Sequence, residues 1–232
     1  FSSVVNKVSL LGDINRSEYF QLGKSKDAIA STAFVLFCSG KGSRLVTGSW
    51  TKPTVELPMP SRKTPLELLI RSIPDGIGQI IISILPGDEY TQEYLEEKNY
   101  FGKPKVIFSF IEQTMVESEG VDEKYPGGTG YTFEHIMKEQ NGWLAQGIEN
   151  VVFMDGEKTG FDRKVMLEFL GYHHSNNRQL TMATYPQIPD PKNKFAHVYT
   201  LGDQAYSSKE TPDALKAMSD SLAHQLGGGV YI

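Results

Sequence analysis

Gly40, Lys41, Gly42 and Arg44 follow directly on a continuously apolar run, Ala33-Phe34-Val35-Leu36-Phe37-Cys38. Glycine lacks the Cβ that would hold a ligand off the backbone, so a Gly-x-Gly turn can bring N–H groups close to phosphate oxygens. Arg44 adds a planar guanidinium able to grip two oxygens of one phosphate. Two common phosphate loops do not match. A Walker loop needs Ser or Thr directly after its Gly-Lys, and Lys41 is followed by Gly42. A dinucleotide fingerprint needs a third glycine where Leu45 stands. The same residues would also make a plain tight strand-to-helix turn. Asp155 ends a second apolar run, Val151 to Met154. A carboxylate there is either a ligand for a hard cation or a helix cap. Cys38 closes its apolar run with no basic neighbour in sequence and reads as core, not as a nucleophile. His173 and His174, adjacent on an expected helix, point about 100° apart and are poorly placed to share a metal, so a solvated helix end is expected. Glu117, Glu119, Asp122 and Glu123 read as a solvated acidic loop.

The elements that must carry these residues alternate along the chain. Residues 1–31 are expected to be helical. The apolar runs over Ala33–Cys38, Gln79–Leu85 and Val151–Met154 read as buried strands and Val106–Phe110 as a further strand, which suggests a parallel sheet. Helices are expected over Pro65–Ile73, with proline in the first turn, and over Glu89–Asn99, Phe133–Met137, Trp143–Gln146 and Arg163–Tyr172. A further strand is expected over Gln179–Tyr185. Ser207–Leu226, with its Leu215/Met218/Leu222 stripe, reads as one amphipathic helix on the surface. Strand–helix alternation implies an α/β domain, whose ligands sit beyond the carboxyl ends of the strands. The turns after Cys38, Leu85, Phe110 and Met154 are therefore where chemistry is expected. Tyr100 and Phe101 are expected to pack a helix end against the sheet.

Composition narrows the classes of function. Of 232 residues, 23 are Lys or Arg and 28 Asp or Glu, a formal net charge of −5. That balance argues against nucleic-acid binding. With 39% hydrophobic and 22% charged residues the chain can build a core. A single cysteine rules out an internal disulfide. No apolar stretch approaches the ~20 residues that span a bilayer. The first residue is Phe1 and the last are Gly227-Gly228-Gly229-Val230-Tyr231-Ile232, so a processed or partial chain is expected. The cytoplasm is the expected compartment, with an organelle open because a leader can be removed.

Phe37-Cys38-Ser39-Gly40-Lys41-Gly42-Ser43-Arg44-Leu45 resembles the Leu-x-Gly-Gly-x-Gly-x-Arg-Leu signature of sugar-nucleotide pyrophosphorylases. A collinear series follows it. Val55-Glu56-Leu57-Pro58 is similar to the family's apolar-Pro segment. Asp88 to Thr91 and then Asn99-Tyr100-Phe101-Gly102 resemble its helix and Asn-x-Tyr-Phe-Gly ending. Val106 to Gln113 resembles the strand that ends in a uracil-contacting Gln. Tyr125-Pro126-Gly127-Gly128-Thr129-Gly130 is similar to the Pro-x-Gly-x-Gly loop that closes on the base. Gly142 through Asp155 resembles the segment that ends in a metal-binding Asp. The series covers about residues 18–190, and it is most similar to the UTP-dependent group, in particular the UDP-sugar pyrophosphorylases.

The resemblance implies a Rossmann-like nucleotidyltransferase fold of GT-A-like type, with a mostly parallel central sheet flanked by helices. The implied divisions are a helical segment over 1–31, the α/β domain over 32–206, and a helix and tail over 207–232. It implies that UTP and a sugar 1-phosphate give a UDP-sugar and pyrophosphate. Arg44 and Lys52 would be catalytic. Ser39, Gly40, Lys41, Gly42, Gln113, Gly127, Gly128 and Thr129 would bind the nucleotide, and Asp155 would hold Mg²⁺. The chain departs from the pattern at Ser39, which replaces a glycine, and at Thr54, where the family has an essential lysine. Lys52 lies two residues earlier, about 6–7 Å along an extended chain. Thr129 and Tyr131 stand where relatives carry His and Asp, and the family's C-terminal portion has no match. The alternative is a homologue without turnover, acting as a nucleotide-binding or structural subunit with protein partners in a larger assembly. A glycosyltransferase would need an Asp-x-Asp metal motif, which Asp155-Gly156-Glu157 only loosely imitates.

Overall fold

Thr32–Phe37 (β1) is buried along almost its whole length, as its unbroken apolar run requires. In this computed structural model it pairs in parallel with Gln79–Ile84 (β2) on one side and with Asn150–Asp155 (β6) on the other. Ile107–Glu112 (β3) lies outside β2, also parallel. The structure describes residues 16–39, 52–57, 62–103, 106–113, 115–118, 121–126, 128–138, 142–156, 161–175, 182–186, 197–201, 204–209 and 224–231. Among them the sheet continues beyond β6 with antiparallel strands. His224–Tyr231 (β10) pairs with β6, with Met182–Pro186 (β7) and with His197–Leu201 (β8), and Gln204–Lys209 (β9) follows β8. Met115–Ser118 (β4) and Val121–Pro126 (β5) form a separate hairpin.

Strand alternation sends side chains to two cores. Phe34, Leu36, Ile80, Ile82, Val152 and Met154 pack beneath Pro65–Ser72 (α3), Glu89–Glu97 (α4) and Arg163–Ser175 (α6). Val35, Ile81, Ile111, Val151 and Phe153 face the other way and meet Ile136 of Gly128–Met137 (α5). The start of α3 follows its sequence. Thr64 caps it by accepting from the Glu67 N–H at 3.1 Å, and Pro65 sits at the first helical position, where a missing N–H is harmless.

At the amino edge, Arg16–Leu22 and Lys26–Ala30 form two short helices in place of the single helical segment expected over 1–31; residues 1–15 lie outside the described ones. The break falls at Gly23. A Cβ on Gly23 would lie 1.8 Å from Leu167 O, and one on Gly171 would lie 1.9 Å from Tyr19 O. The first helix and α6 cross at these two glycines with their backbones in contact.

Asn99, Tyr100 and Phe101 have φ of 47°, 49° and 51°, a left-handed turn that L side chains enter at a cost. Ring contacts hold it, Tyr100 on Phe108 at 4.5 Å and Phe101 on Tyr94 at 5.8 Å. The expected packing of this pair against the sheet is what the structure shows.

Several expectations are corrected. Trp143–Gln146 is not helical. The Gln79 carboxamide donates to Trp143 O and accepts from the Ala145 N–H, both at 2.9 Å, using the groups a helix would need for itself. Ser207–Leu226 is not one helix. Ser207–Lys209 lies in β9 and His224–Leu226 in β10, while 210–223 lies outside the described residues. The Gly227-Gly228-Gly229 run that follows disfavours helix, and β6 offers an edge that requires a partner. Glu117, Asp122 and Glu123 belong to the β4–β5 hairpin, where Val116, Val121 and Tyr125 favour extended chain. His173 is buried, not solvated. Burial holds its imidazole below the ordinary histidine range, and neighbouring His174 adds to the effect.

Candidate functional site

The parallel strands β3, β2, β1 and β6 all end on one edge of the sheet, and the direction of winding reverses between β1 and β6. From β1 the chain works outward through β2 to β3, whereas β6 is added on the opposite side. The connections therefore diverge and leave a crevice above the strand ends.

Three backbone bonds extend the ladder one residue past the strands. Cys38 N–H donates to Ser83 O at 2.8 Å, Gln113 N–H to Ile84 O at 2.8 Å, and Gly156 N–H to Phe37 O at 2.9 Å. The rim of the crevice is thus a continuous hydrogen-bonded row. Its β2 corner is tied to β3 by Glu112 Oε1, which accepts from the Gly87 N–H at 3.0 Å. Asp88, next in the chain, caps α4 by accepting from the Thr91 N–H at 3.1 Å and from its hydroxyl at 2.7 Å.

Phe37 is in register with both Ser83 and Asp155. Strand alternation from Val35, Ile81, Ile111 and Phe153 puts Phe37, Ser83, Gln113 and Asp155 on the α5 side of the sheet. Asp155 is in register with Ile111, so Gln113 lies three inter-strand gaps of about 4.8 Å across and two residues of about 3.3 Å along from it, about 16 Å in all. The intervening floor includes the Phe37 and Phe153 rings, stacked at 5.9 Å, with the Phe133 ring of α5 at 4.7 Å from Phe153.

The residues expected to do chemistry divide as follows. Gly40, Lys41, Gly42, Arg44 and Gly127 lie outside the described residues. Ser39 is buried at the end of β1. Gln113, which the sequence alone left free to be a surface residue, is only 4% exposed. Its backbone N–H is bonded to Ile84 O; the buried side-chain polar atoms without a partner among the described residues are Ser83 Oγ and His174 Nε2. Asp155 is half-buried at the end of β6 and is engaged by a neighbouring group. It does not cap the next helix, because Asp162 does so, accepting from the Val165 N–H at 2.8 Å. Gly128 and Thr129 form the first turn of α5, which begins five residues earlier than expected, and Thr129 is exposed. Tyr131 is exposed as well.

Lys52 opens a 3₁₀ turn, Lys52–Thr54. Thr54, where the resemblance leads one to expect a lysine, is 3% exposed. The turn returns to the β1–β6 junction, where a Cβ on Gly156 would sit 3.2 Å from Pro53 Cγ and 2.5 Å from Cys38 Sγ. Burial, and then the charge of Asp88, push the Cys38 thiol far above the ordinary cysteine range, so no thiolate forms near neutrality. Cys38 is core, as expected. Pro53 and Gly156 were not singled out by sequence reasoning. A glycine directly after a strand-terminal Asp, at a sheet junction, is the signal that could have found the second.

No protein-family model and no curated protein matches the sequence. Solved structures do. One is a protein of Entamoeba histolytica described as a UDP-N-acetylglucosamine pyrophosphorylase, with a TM-score of 0.68 and 16% identity over 94% of this chain. Another is the uridine diphosphate N-acetylglucosamine pyrophosphorylase of Trypanosoma brucei in complex with an inhibitor, with a TM-score of 0.67 and 16% identity over 93% of this chain. The chain spans 62% of the first of these proteins and 49% of the second. At this identity the likeness is one of fold. The α/β architecture, with a four-stranded parallel core flanked by helices, is the fold this chain shares with both solved structures. No helix among the described residues is long and apolar enough to cross a membrane.

Proposed function

We propose that this chain binds UTP in the crevice above β3, β2, β1 and β6, as the nucleotide-binding part of a uridylyltransferase acting on a sugar 1-phosphate. The observation that carries this reading is Gln113, 4% exposed at the end of β3 and on the same face of the sheet as Asp155. A carboxamide offers one acceptor oxygen and two donor hydrogens. Uracil presents an imide N–H flanked by carbonyl oxygens, the complementary pattern. The N-terminal turn of α5, with Gly127, Gly128 and Thr129, would enclose the base beside it.

The distance of about 16 Å from Gln113 to Asp155 is one that a nucleoside with its phosphates bridges. Asp155 fits Mg²⁺, which binds through one or two carboxylates and completes its shell with substrate phosphates. Among the described residues no group of three or more His, Cys, Asp or Glu forms a self-sufficient protein cage, which suits a cation shared with the substrate. Such a cation would supply charge compensation for the triphosphate. Ser39 and the backbone of Gly40, Lys41 and Gly42, with the Arg44 and Lys52 side chains, would hold the phosphates. The sugar 1-phosphate oxygen then bonds to the α-phosphorus and the α–β bridging oxygen leaves with pyrophosphate. The protein contributes alignment and charge stabilisation rather than a covalent intermediate.

The test is pyrophosphate release from UTP, Mg²⁺ and a panel of sugar 1-phosphates. Release with one sugar supports the reading. A thermal shift with UTP but no release with any sugar supports the second reading, a nucleotide-binding subunit without turnover that works with protein partners. The burial of Thr54 where the family has its lysine favours that second reading. Neither a shift nor release refutes both.

A further inference from the structure

The sheet ends at β3. Among the described residues this strand pairs only with β2, and no strand lies on its other side. One bond shows which of its groups face outward. Gln113 N–H donates to Ile84 O of β2, and the β2–β3 register runs without a bulge from Ile107 to Glu112. Alternation then turns the N–H and C=O of Ile107, Ser109 and Ile111 toward β2, and those of Phe108, Phe110 and Glu112 away from it. Native sheets blunt such an edge with lysine, proline or a bulge. Residues 107–111, Ile-Phe-Ser-Phe-Ile, have none of these. Ile107 is 53% exposed, and Phe108, Ser109 and Phe110 are only half-buried. The strand at the opposite edge, β9, is Gln-Ala-Tyr-Ser-Ser-Lys, the polar composition that a solvated edge tolerates.

Ile-Phe-Ser-Phe-Ile also reads the same in both directions. We infer that β3 is the contact of a two-fold dimer of this chain, in which the two copies of β3 pair antiparallel about Ser109 and the two sheets become one. Three arguments select this occupant and this register. First, Phe108 and the partner's Phe110 become a hydrogen-bonded pair that uses their outward groups, while Ser109 falls in a non-hydrogen-bonded pair, as its inward N–H requires. Second, Phe108 faces the partner's Phe110 and Ile107 faces the partner's Ile111, so aromatic meets aromatic and β-branched meets β-branched. Third, Glu112, the single charge of β3, lies opposite the partner's Val106. The two copies of Glu112 then stay about 20 Å apart, six residues of about 3.3 Å. A register centred on Ile111 would bring those carboxylates within about 8 Å of each other, which like charges disfavour. The contact is isologous, so it closes on itself and stops at two copies. It does not depend on the UTP reading.

Ser109→Cys and Ile107→Cys, made separately in the full chain, distinguish this dimer from nonspecific association. Both replacements are small and sit at exposed or half-buried positions, so the fold is retained. Cα atoms in a non-hydrogen-bonded pair are about 4.5 Å apart, within reach of a disulfide. The two copies of position 107 lie about 13 Å apart along the strands, beyond the limit of about 7 Å. Under mild oxidation the Ser109→Cys chain is expected to become a disulfide-linked dimer about tenfold faster than the Ile107→Cys chain, although position 107 is the more exposed. The native Cys38 is buried and takes no part. One strand edge buries less than the ~800 Å² per partner of a stable interface, so the unaltered chain should pass from monomer to dimer at about 10–100 µM in sedimentation velocity. Ser109→Lys sets two like charges across the axis and should raise that dissociation constant about tenfold. Equal cross-linking of the two cysteine variants overturns the inference, as does growth beyond the dimer. A chain that stays monomeric throughout that range also overturns it and leaves the edge to a different protein.

Discussion

Replacing Gln113 with leucine should weaken ligand binding while leaving stability nearly unchanged. Leucine is close in volume to glutamine and apolar, and position 113 is 4% exposed at the end of β3. Its carboxamide is not one of the buried side-chain groups without a partner, so its removal relieves no large desolvation cost. The change should therefore move stability by no more than about 0.5 kcal/mol. At about 2–4 °C per kcal/mol for a protein of this length, the melting temperature should stay within about 2 °C. The backbone bond from Gln113 N–H to Ile84 O is indifferent to the side chain and should persist. Two lost hydrogen bonds to a uracil edge, at about 0.5–1.5 kcal/mol each, weaken UTP about 5- to 150-fold. Differential scanning fluorimetry and titration calorimetry read the two effects on one preparation. A fall of more than about 4 °C would mean that the carboxamide is bonded within the protein and not free to read a base. An unchanged UTP affinity would equally refute the assignment.

Three further perturbations probe other parts of the molecule. Gly171→Ala puts a methyl 1.9 Å from Tyr19 O, a backbone atom that cannot rotate away. The N-terminal helix must shift outward, at about 1–3 kcal/mol, visible as a lower urea midpoint and faster cleavage around Arg16 by trypsin. Burial lowers the His173 pKa beneath its unfolded value of 6.5, so the unfolded chain takes up the proton first. The resulting stability is full above that value and declines as pH falls through it toward the folded pKa. A melting-temperature series from pH 7.5 to 5 should show this slope, and His173→Leu should flatten it. Asp155→Asn keeps the shape of the side chain and removes its charge. It should lower Mg²⁺-dependent UTP binding at least tenfold while changing Mg²⁺-free binding little, as measured by calorimetry with and without the cation.

The parallel core was legible because burial on both faces leaves no room for polar alternation: Ala33–Phe37, Gln79–Ile84 and Val151–Met154 could hardly be anything but central strands. The start of α3 was equally local, with proline in its first turn. Gln113 and Asp155 could be placed at strand ends from sequence, and their position on a common face follows once the register is known. The C-terminal strand was hidden because its neighbours, not its residues, decide its conformation. Gly227-Gly228-Gly229 has no pattern of its own, and β10 forms because β6, β7 and β8 present edges to it. Trp143–Gln146 was misread for a similar reason, since Gln79, far away in sequence, claims its backbone groups. The approaches at Gly23, Gly156 and Gly171 are tertiary facts that no local pattern records.

The order in which strands join the sheet also has a consequence in time. Met154, one residue before the candidate cation ligand, pairs with Val230, which is made well after it. Until that stretch has left the ribosome, β6 can pair with β1 on one side while its other side stays open. Long-range closures of this kind come late and slowly in folding. The nascent chain thus passes through a state with an unpaired strand edge beside Asp155, the most sticky surface a sheet can offer. Yield at high expression temperature should therefore depend more on residues 224–231 than on any residue of the parallel core. The strand that completes the sheet is also what protects the chain from its own kind while it is being made.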